Sequence, residues 1–108
     1  MKLWTKKLAD KAKKYPLYSQ EGKGMDAKVL AKFFNPYGRG TWIVTEAQKQ
    51  EDGDWLFFGY SQSIENEWGY FMLSELESID IEVCGYKLKL ERDLHLPKDA
   101  TVGDIVNK

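Results

Sequence analysis

The spacing of apolar residues predicts a helix near the N-terminus, followed by a polar loop. Thr5 is suited to begin the helix, because its hydroxyl can accept from a free backbone amide. Pro16 ends it, because the residue before a proline disfavours helical backbone. The loop is expected over residues 17–27, where glycines lie among polar neighbours. The helix is predicted over residues 5–14, with an apolar stripe formed by Trp4, Leu8, Ala12 and Tyr15.

Runs of β-branched and aromatic residues predict about five strands further along the chain. Asp52-Gly53 separates two of these runs and is a strong hairpin signal. A short helix is expected at residues 74–79, opened by reciprocal capping between Ser74 and Glu77. Another helical turn is expected after Thr101. The predicted strands cover residues 29–34, 41–47, 55–60, 68–73 and 86–92.

The expected hairpin carries large side chains on both faces. With Asp52 and Gly53 as a two-residue turn, Glu51 pairs with Asp54, and alternation assigns the faces. One face would carry Ile43, Thr45, Ala47, Leu56, Phe58 and Tyr60. The other would carry Trp42, Val44, Glu46, Gln48, Trp55 and Phe57. A register error of one residue would regroup these sets.

These elements predict an α+β fold in a single domain of residues 1–108. We expect an antiparallel sheet of about five strands, one N-terminal amphipathic helix and one or two short helices. Apolar residues make up 43% of the chain, enough for a hydrophobic core. Tyr86, Leu88 and Leu90 are expected to point inward from the last strand.

Composition argues against secretion and membrane insertion. Cys84 is the single cysteine, so no internal disulfide can form, and a cytoplasmic location is expected. Apolar runs reach only about four residues, far below the ~20 that span a bilayer, so no membrane partner is expected.

Several sequence blocks occur in the same order in a known bacterial family. They are AKFFNP at 31–36, TWIVTE at 41–46, LFFG at 56–59, EWGYFMLSELE at 67–77 and ERDL at 91–94. The chain thereby resembles the family catalogued as domain of unknown function 2958, which is found in plasmids, phages and other mobile elements. The resemblance implies a mobile-element setting and a compact cytoplasmic domain. Because this family has no established activity, it implies no reaction and no catalytic residues.

The net charge of −1 conceals an uneven distribution. Residues 1–39 hold ten basic and three acidic side chains, whereas residues 40–108 hold six basic and fourteen acidic ones. Such asymmetry is typical of a face that binds polyanions, of an acidic face that binds a basic partner, or of halves that neutralise each other. The candidate basic patch consists of Lys6, Lys7, Lys11, Lys13 and Lys14. It predicts salt-sensitive, sequence-indifferent nucleic-acid binding, or simply a solvated helix surface.

Fifteen aromatic residues suggest a second kind of surface. One helix of useful length is too little to cover both hairpin faces, and exposed Trp and Tyr residues are enriched in binding hot spots. We expect a protein-binding or self-association surface at Trp42, Glu46, Trp55 and Phe57. The alternative is that the monomer covers these rings itself.

Catalytic chemistry has weaker support. Glu65 and Glu67 are a candidate carboxylate pair for a small hydrolase, or they keep the strand entrance solvated. One histidine, His95, and one cysteine are too few for a zinc site, so no metal, no cofactor and no catalytic residue are assigned.

The leading hypothesis is therefore a non-catalytic accessory domain that binds a protein, for example as an inhibitor of a host defence or nucleic-acid-handling protein. The alternatives are nucleic-acid binding through the lysine-rich helix and, third, a carboxylate-dependent hydrolase.

Overall fold

An antiparallel sheet of five strands lies at the centre of the structure, a computed structural model that describes residues 2–107. The sheet order is β4-β3-β2-β1-β7, and β5 and β6 form a separate two-stranded hairpin. The strands are β1 (Ala31–Phe34), β2 (Thr41–Lys49), β3 (Trp55–Gln62), β4 (Asn66–Met72), β5 (Ile81–Val83), β6 (Tyr86–Leu88) and β7 (Glu91–Arg92). The helices are α1 (Lys6–Ala12), α2 (Leu73–Glu77) and α3 (Val102–Val106), with a 3-10 helix at Gly24–Asp26.

The predicted α+β fold class is confirmed, since an antiparallel sheet is combined with a few short helices. The last predicted strand was wrong in one respect, because it divides into β6 and β7. Cys84 and Gly85 both have positive φ, 51° and 83°, and they turn the chain so that β6 pairs with β5. Tyr86 is consequently 72% exposed rather than inward, and only β7 joins the sheet.

The register of the β2–β3 hairpin differs from the expected one. Gln50 N donates to Asp54 O at 2.8 Å, so the turn is longer than two residues and Lys49 pairs with Trp55. A bulge then shifts the register between Val44 and Glu46. An extra residue in one strand moves every later side chain to the other face.

Two hydrophobic clusters lie on opposite faces of the sheet. The first contains Phe33, Val44 and Phe57, covered by α1, by α2 and by the N-terminal segment. Trp4 closes this cluster, with its ring 5.1 Å from Trp55 and 4.8 Å from Phe57. The second cluster is smaller and is covered by α3; it contains Ala27, Val29, Ile43 and Val102.

The helix ends follow the capping rules, with one correction. Thr5 Oγ1 accepts from Leu8 N at 3.3 Å, as predicted, although α1 is shorter than residues 5–14. The predicted Ser74–Glu77 capping box is wrong, because α2 begins one residue earlier and Glu75 accepts from Met72 N at 2.8 Å. The helical turn after Thr101 is confirmed as α3.

The β2 backbone passes directly over Gly59 and leaves no room for a side chain there. A Cβ added there would lie 1.8 Å from the carbonyl oxygen of Ile43. We expect Gly59→Ala to lower the free energy of unfolding by about 3 kcal/mol or more, measured by urea denaturation. Gly69 pairs with Gly59 in the register, and a Cβ added to Gly69 would have no neighbour within 4 Å. Gly69→Ala is therefore the matched control, and equal losses in the two variants would contradict this packing.

The stability of the fold is expected to depend on pH through the carboxylate of Asp54. Its carboxylate accepts from Ser74 Oγ and from the amides of Ser74 and Trp55, at 3.1 and 2.8 Å for the amides. These hydrogen bonds hold the pKa of Asp54 below its ordinary value, and the bond from the Ser74 hydroxyl contributes most. A lowered folded-state pKa stabilises the fold above the unfolded pKa of about 4, and this contribution is lost as pH falls through the folded pKa.

Asp54→Asn should therefore lower the thermal midpoint at pH 7, and the difference from the unsubstituted protein should shrink at pH 2.5. Thermal unfolding followed by circular dichroism measures both. A deficit of equal size at the two pH values would show that the charge of Asp54 is not involved.

Candidate functional site

A row of aromatic rings follows one face of β3 and β4. The register sets Phe58 opposite Tyr70 and Tyr60 opposite Trp68. The ring of Phe58 stacks on that of Trp68, with their centroids 6.0 Å apart. It meets the ring of Tyr70 edge-on, with a centroid distance of 5.0 Å. Tyr60 and Trp68 are 5.1 Å apart. Tyr70 is 52% exposed, so this row reaches the protein surface.

The buried carboxylate of Glu46 holds the loop of residues 17–27 beside these rings by hydrogen bonds. Glu46 is 2% exposed and follows the bulge on β2, on the same face as Phe58. Its Oε1 accepts from the amide of Tyr18 at 2.7 Å, and its Oε2 accepts from the amide of Gln20 at 2.9 Å. Both carboxylate oxygens are thereby used to hold backbone that would otherwise lack partners.

Gln20 completes this attachment with its side chain. Its Nε2 donates to the carbonyls of Lys28 at 2.9 Å and Thr45 at 2.7 Å, and its Oε1 accepts from the amide of Lys28 at 2.6 Å. Gln20 is 4% exposed, so a primary amide with one acceptor and two donors is satisfied inside the protein. The loop is thus joined to β2 at the bulge, through Thr45 and Glu46.

Tyr18 adopts strained backbone at this point. Its φ is +73°, a region that bulky L-residues rarely occupy and that costs on the order of 1 kcal/mol. The bond from its amide to Glu46 holds it there. Its side chain is consequently 65% exposed at the edge of a cavity of about 150 Å³. We call this cavity the aromatic pocket; it is lined by Tyr18, Glu21, Gly22, Glu46, Phe58 and Tyr70.

Two carboxylates, those of Glu46 and Glu21, line the aromatic pocket. The pKa of Tyr70 lies above its ordinary value, first because of desolvation, then because of the Tyr18 hydroxyl and the charges of Glu46 and Glu21. None of the ion pairs within residues 2–107 includes Glu46; they join Lys13 to Asp10, Lys32 to Asp93 and Lys89 to Asp80. The charge buried under this pocket is therefore held by amides and not by a cation.

The four residues expected to form one aromatic surface lie on two faces. Phe57 has no exposed surface, and Trp55 is half-buried against Trp4. Trp42 is half-buried on the same side, whereas Glu46 lies on the opposite face because of the bulge. This correction moves the candidate surface from Trp42 and Trp55 to the other side of the sheet.

The predicted basic patch is divided between two grooves. Lys7, Lys11 and Lys14 line a cavity of about 610 Å³ beside Arg92 and Asp93. Lys13 lines a different cavity of about 440 Å³, near Trp55, and Lys6 is exposed on α1. Lys11 Nζ also donates to Val29 O at 3.3 Å, so part of this positive charge is used within the fold.

The two candidate carboxylates lie around the start of β4. Glu65 lies in the turn before β4, and Glu67 lies on β4, where alternation sets it on the face opposite to Tyr70. Both side chains are exposed. Across residues 2–107, no group of three or more His, Cys, Asp or Glu side chains is arranged to hold a metal ion.

Sequence reasoning missed Tyr18, Gln20, Glu21 and Tyr70. The loop gives no local signal, because its partners lie about 26 residues away on β2. One signal was present: Glu46 interrupts a run of β-forming residues, and a charged residue within such a run is buried only when it has partners.

No helix between residues 2 and 107 has the length and apolar character needed to cross a bilayer. Comparison with curated proteins and with solved structures gives no significant match. One family model, described as "Protein of unknown function (DUF2958)", matches residues 3–107. The match covers nearly the whole chain, from the segment that precedes α1 through α3, and so includes every residue of the aromatic pocket. The chain belongs to the DUF2958 family of proteins of unknown function.

Proposed function

We propose that this protein is a non-catalytic protein-binding domain and that its aromatic pocket receives a basic side chain from a partner. The occupant is a positively charged segment of another protein. This keeps the leading function expected from the sequence and moves its surface to the face that carries Tyr18, Phe58 and Tyr70.

One observation carries the proposal: among residues 2–107 the buried carboxylate of Glu46 has no cationic partner, and it lines a pocket together with exposed aromatic rings. Buried charges in proteins are normally paired, and within the described residues 2–107 Glu46 accepts from backbone amides alone. Aromatic faces attract cations through their quadrupole, most strongly where water is excluded. A lysine or arginine side chain would meet both requirements at the aromatic pocket.

Charge at longer range favours the same kind of partner. Residues 40–108 carry eight more acidic than basic side chains, and Glu21 adds another carboxylate beside the pocket. Such a field attracts a basic protein and accelerates its association. In biological terms, the proposal is that a mobile-element protein acts in the cytoplasm and inhibits a basic host protein that handles nucleic acids.

A fluorescently labelled peptide with alternating lysine and glycine, titrated by polarisation at low salt, tests the proposal. The protein should bind it, and a peptide with glutamate at the lysine positions should not bind. Tyr70→Leu removes one ring face and should weaken binding about 5-fold or more. Tyr86→Leu is the matched control, because Tyr86 is equally an exposed tyrosine but lies on the β5–β6 hairpin. Equal affinity for both peptides, or equal loss in both variants, would contradict the proposal.

Nucleic-acid binding is the second candidate, favoured by the alignment of Lys7, Lys11 and Lys14 along one groove. If it operates, replacing these three with glutamine should abolish the low-salt retardation of short DNA in a gel-shift assay and flatten its salt dependence. Replacing the exposed Lys23, Lys87 and Lys98 removes the same charge elsewhere and should preserve retardation. Absence of retardation by the unsubstituted protein at micromolar concentration rejects this candidate.

A further inference from the structure

We infer that the basic segment of the partner binds in an extended conformation and adds a strand to the free edge of β4, beside the aromatic pocket. This inference rests on the proposed function, since it states how the same partner is held. Backbone hydrogen bonds to β4 would supply affinity, and the side chains along the edge would supply selectivity for a basic sequence.

The long edge of the central sheet is β4. Its seven residues, Asn66–Met72, pair with β3 on one side, and no strand among residues 2–107 pairs with the other side. The opposite edge, β7, has only two residues, and its Arg92 donates to the carbonyls of Lys2 and Leu3 at 2.7 and 3.1 Å. A sheet edge presents unpaired amide and carbonyl groups, so β4 offers the longer template for an added strand.

Several features that protect sheet edges from pairing are missing from β4. Natural edge strands are often short, or they carry lysine, proline or a bulge. The sequence of β4 contains neither lysine nor proline, and its register with β3 is regular along the whole strand. Its one charged residue is Glu67, and its aromatic residues favour extended backbone. The edge is therefore suited to pairing with another strand.

The charge around β4 favours a basic occupant. Residues 51–86, which include β3, β4 and α2, contain nine acidic residues and no lysine, arginine or histidine. Glu65 and Glu67 are exposed at the start of the edge, and Glu21 lines the adjacent pocket. A second copy of this chain would bring the same acidic edge against it, and like charges oppose such pairing. A basic segment meets opposite charge there.

Tyr70 connects this edge to the aromatic pocket. It lies on β4 opposite Phe58, which in turn lies opposite Glu46 on β2, so the three residues form a row across the sheet. An added strand would lie about 4.8 Å beyond β4, and its residue opposite Tyr70 would point to the same face. The flexible stem of a lysine at that position lets its ammonium lie over the Tyr70 ring at the edge of the pocket.

Gly69 leaves room for an added strand on the other face of the sheet. A glycine inside a strand weakens it, and such a glycine often lies where another backbone approaches closely. A Cβ added to Gly69 would meet no atom within 4 Å, so no contact within residues 2–107 requires a glycine there. The partner residue opposite Gly69 would point to this open space, where a large apolar side chain can cover the glycine.

A peptide that alternates lysine with threonine tests the inference, because its lysines share one face when it is extended. Two further versions carry N-methyl groups on the amides of every lysine or of every threonine. Alternate amides point to one edge of a strand, so one version should bind about 10-fold or more weakly and the other should bind like the parent peptide. Fluorescence polarisation at low salt measures all three affinities.

Equal affinity of the parent peptide and both methylated versions would overturn the inference and leave the proposed function in place. Failure of the parent peptide to bind at millimolar concentration would reject the inference and the proposed function together.

Gly69 supplies a matched test of where the segment lies. Replacing the central threonine of the peptide with phenylalanine should tighten binding to the unsubstituted protein, because the ring covers Gly69. Gly69→Leu fills the same space and should remove this gain while the parent peptide still binds. A gain of the same size in Gly69→Leu would contradict the placement of the segment on β4.

Amide hydrogen exchange of the whole protein locates the added strand. Saturation with the parent peptide should slow the exchange of alternate β4 amides about 10-fold or more, and the amides of the β5–β6 hairpin should not change. Unchanged exchange along β4 in the bound state would overturn the inference. Slow exchange of all β4 amides in a protein that sediments as a dimer without peptide would also overturn it, because a second copy would then occupy the edge.

Discussion

The backbone amides of Tyr18 and Gln20 donate to the buried carboxylate of Glu46, and this attachment determines how the aromatic pocket is built. Glu46 lies on the central sheet, and Tyr18 and Gln20 lie on a loop that has no strand pairing of its own. Hydrogen bonds to a charged acceptor are about twice as strong as neutral ones, and here they are shielded from water. They allow a residue with positive φ to persist, and that residue presents its ring beside Phe58 and Tyr70. The aromatic pocket depends on this attachment.

The bulge on β2 is what directs Glu46 to that face. Without it, alternation would keep Glu46 on the face of Trp42 and Val44, which is the side covered by Trp4. Thr45, at the bulge, donates through its hydroxyl to Phe58 O at 3.1 Å and accepts Gln20 through its carbonyl. The inserted residue and the length of the turn together set the hairpin register and the face of the charge, and Thr45 at the bulge also takes part in the attachment of the loop.

Much of the fold could be predicted because its signals are local. Runs of β-forming residues located β1 to β4, Thr5 marked the start of α1, and Thr101 marked the start of α3. The register could not be predicted, since Asp52-Gly53 is compatible with more than one turn length and no residue type specifies a bulge at Thr45. The candidate site was harder still, because Tyr18 and Gln20 meet Glu46 only after the sheet has formed.

Amide hydrogen exchange, followed residue by residue by NMR, tests the attachment most directly. In the unsubstituted protein, the amides of Tyr18 and Gln20 and those of the β2–β3 ladder should all exchange slowly. In Glu46→Gln, one of the two side-chain acceptors becomes a donor, so at least one of these two amides should lose protection selectively while the ladder retains it. Rapid exchange of both amides in the unsubstituted protein, or unchanged protection in the variant, would contradict the account.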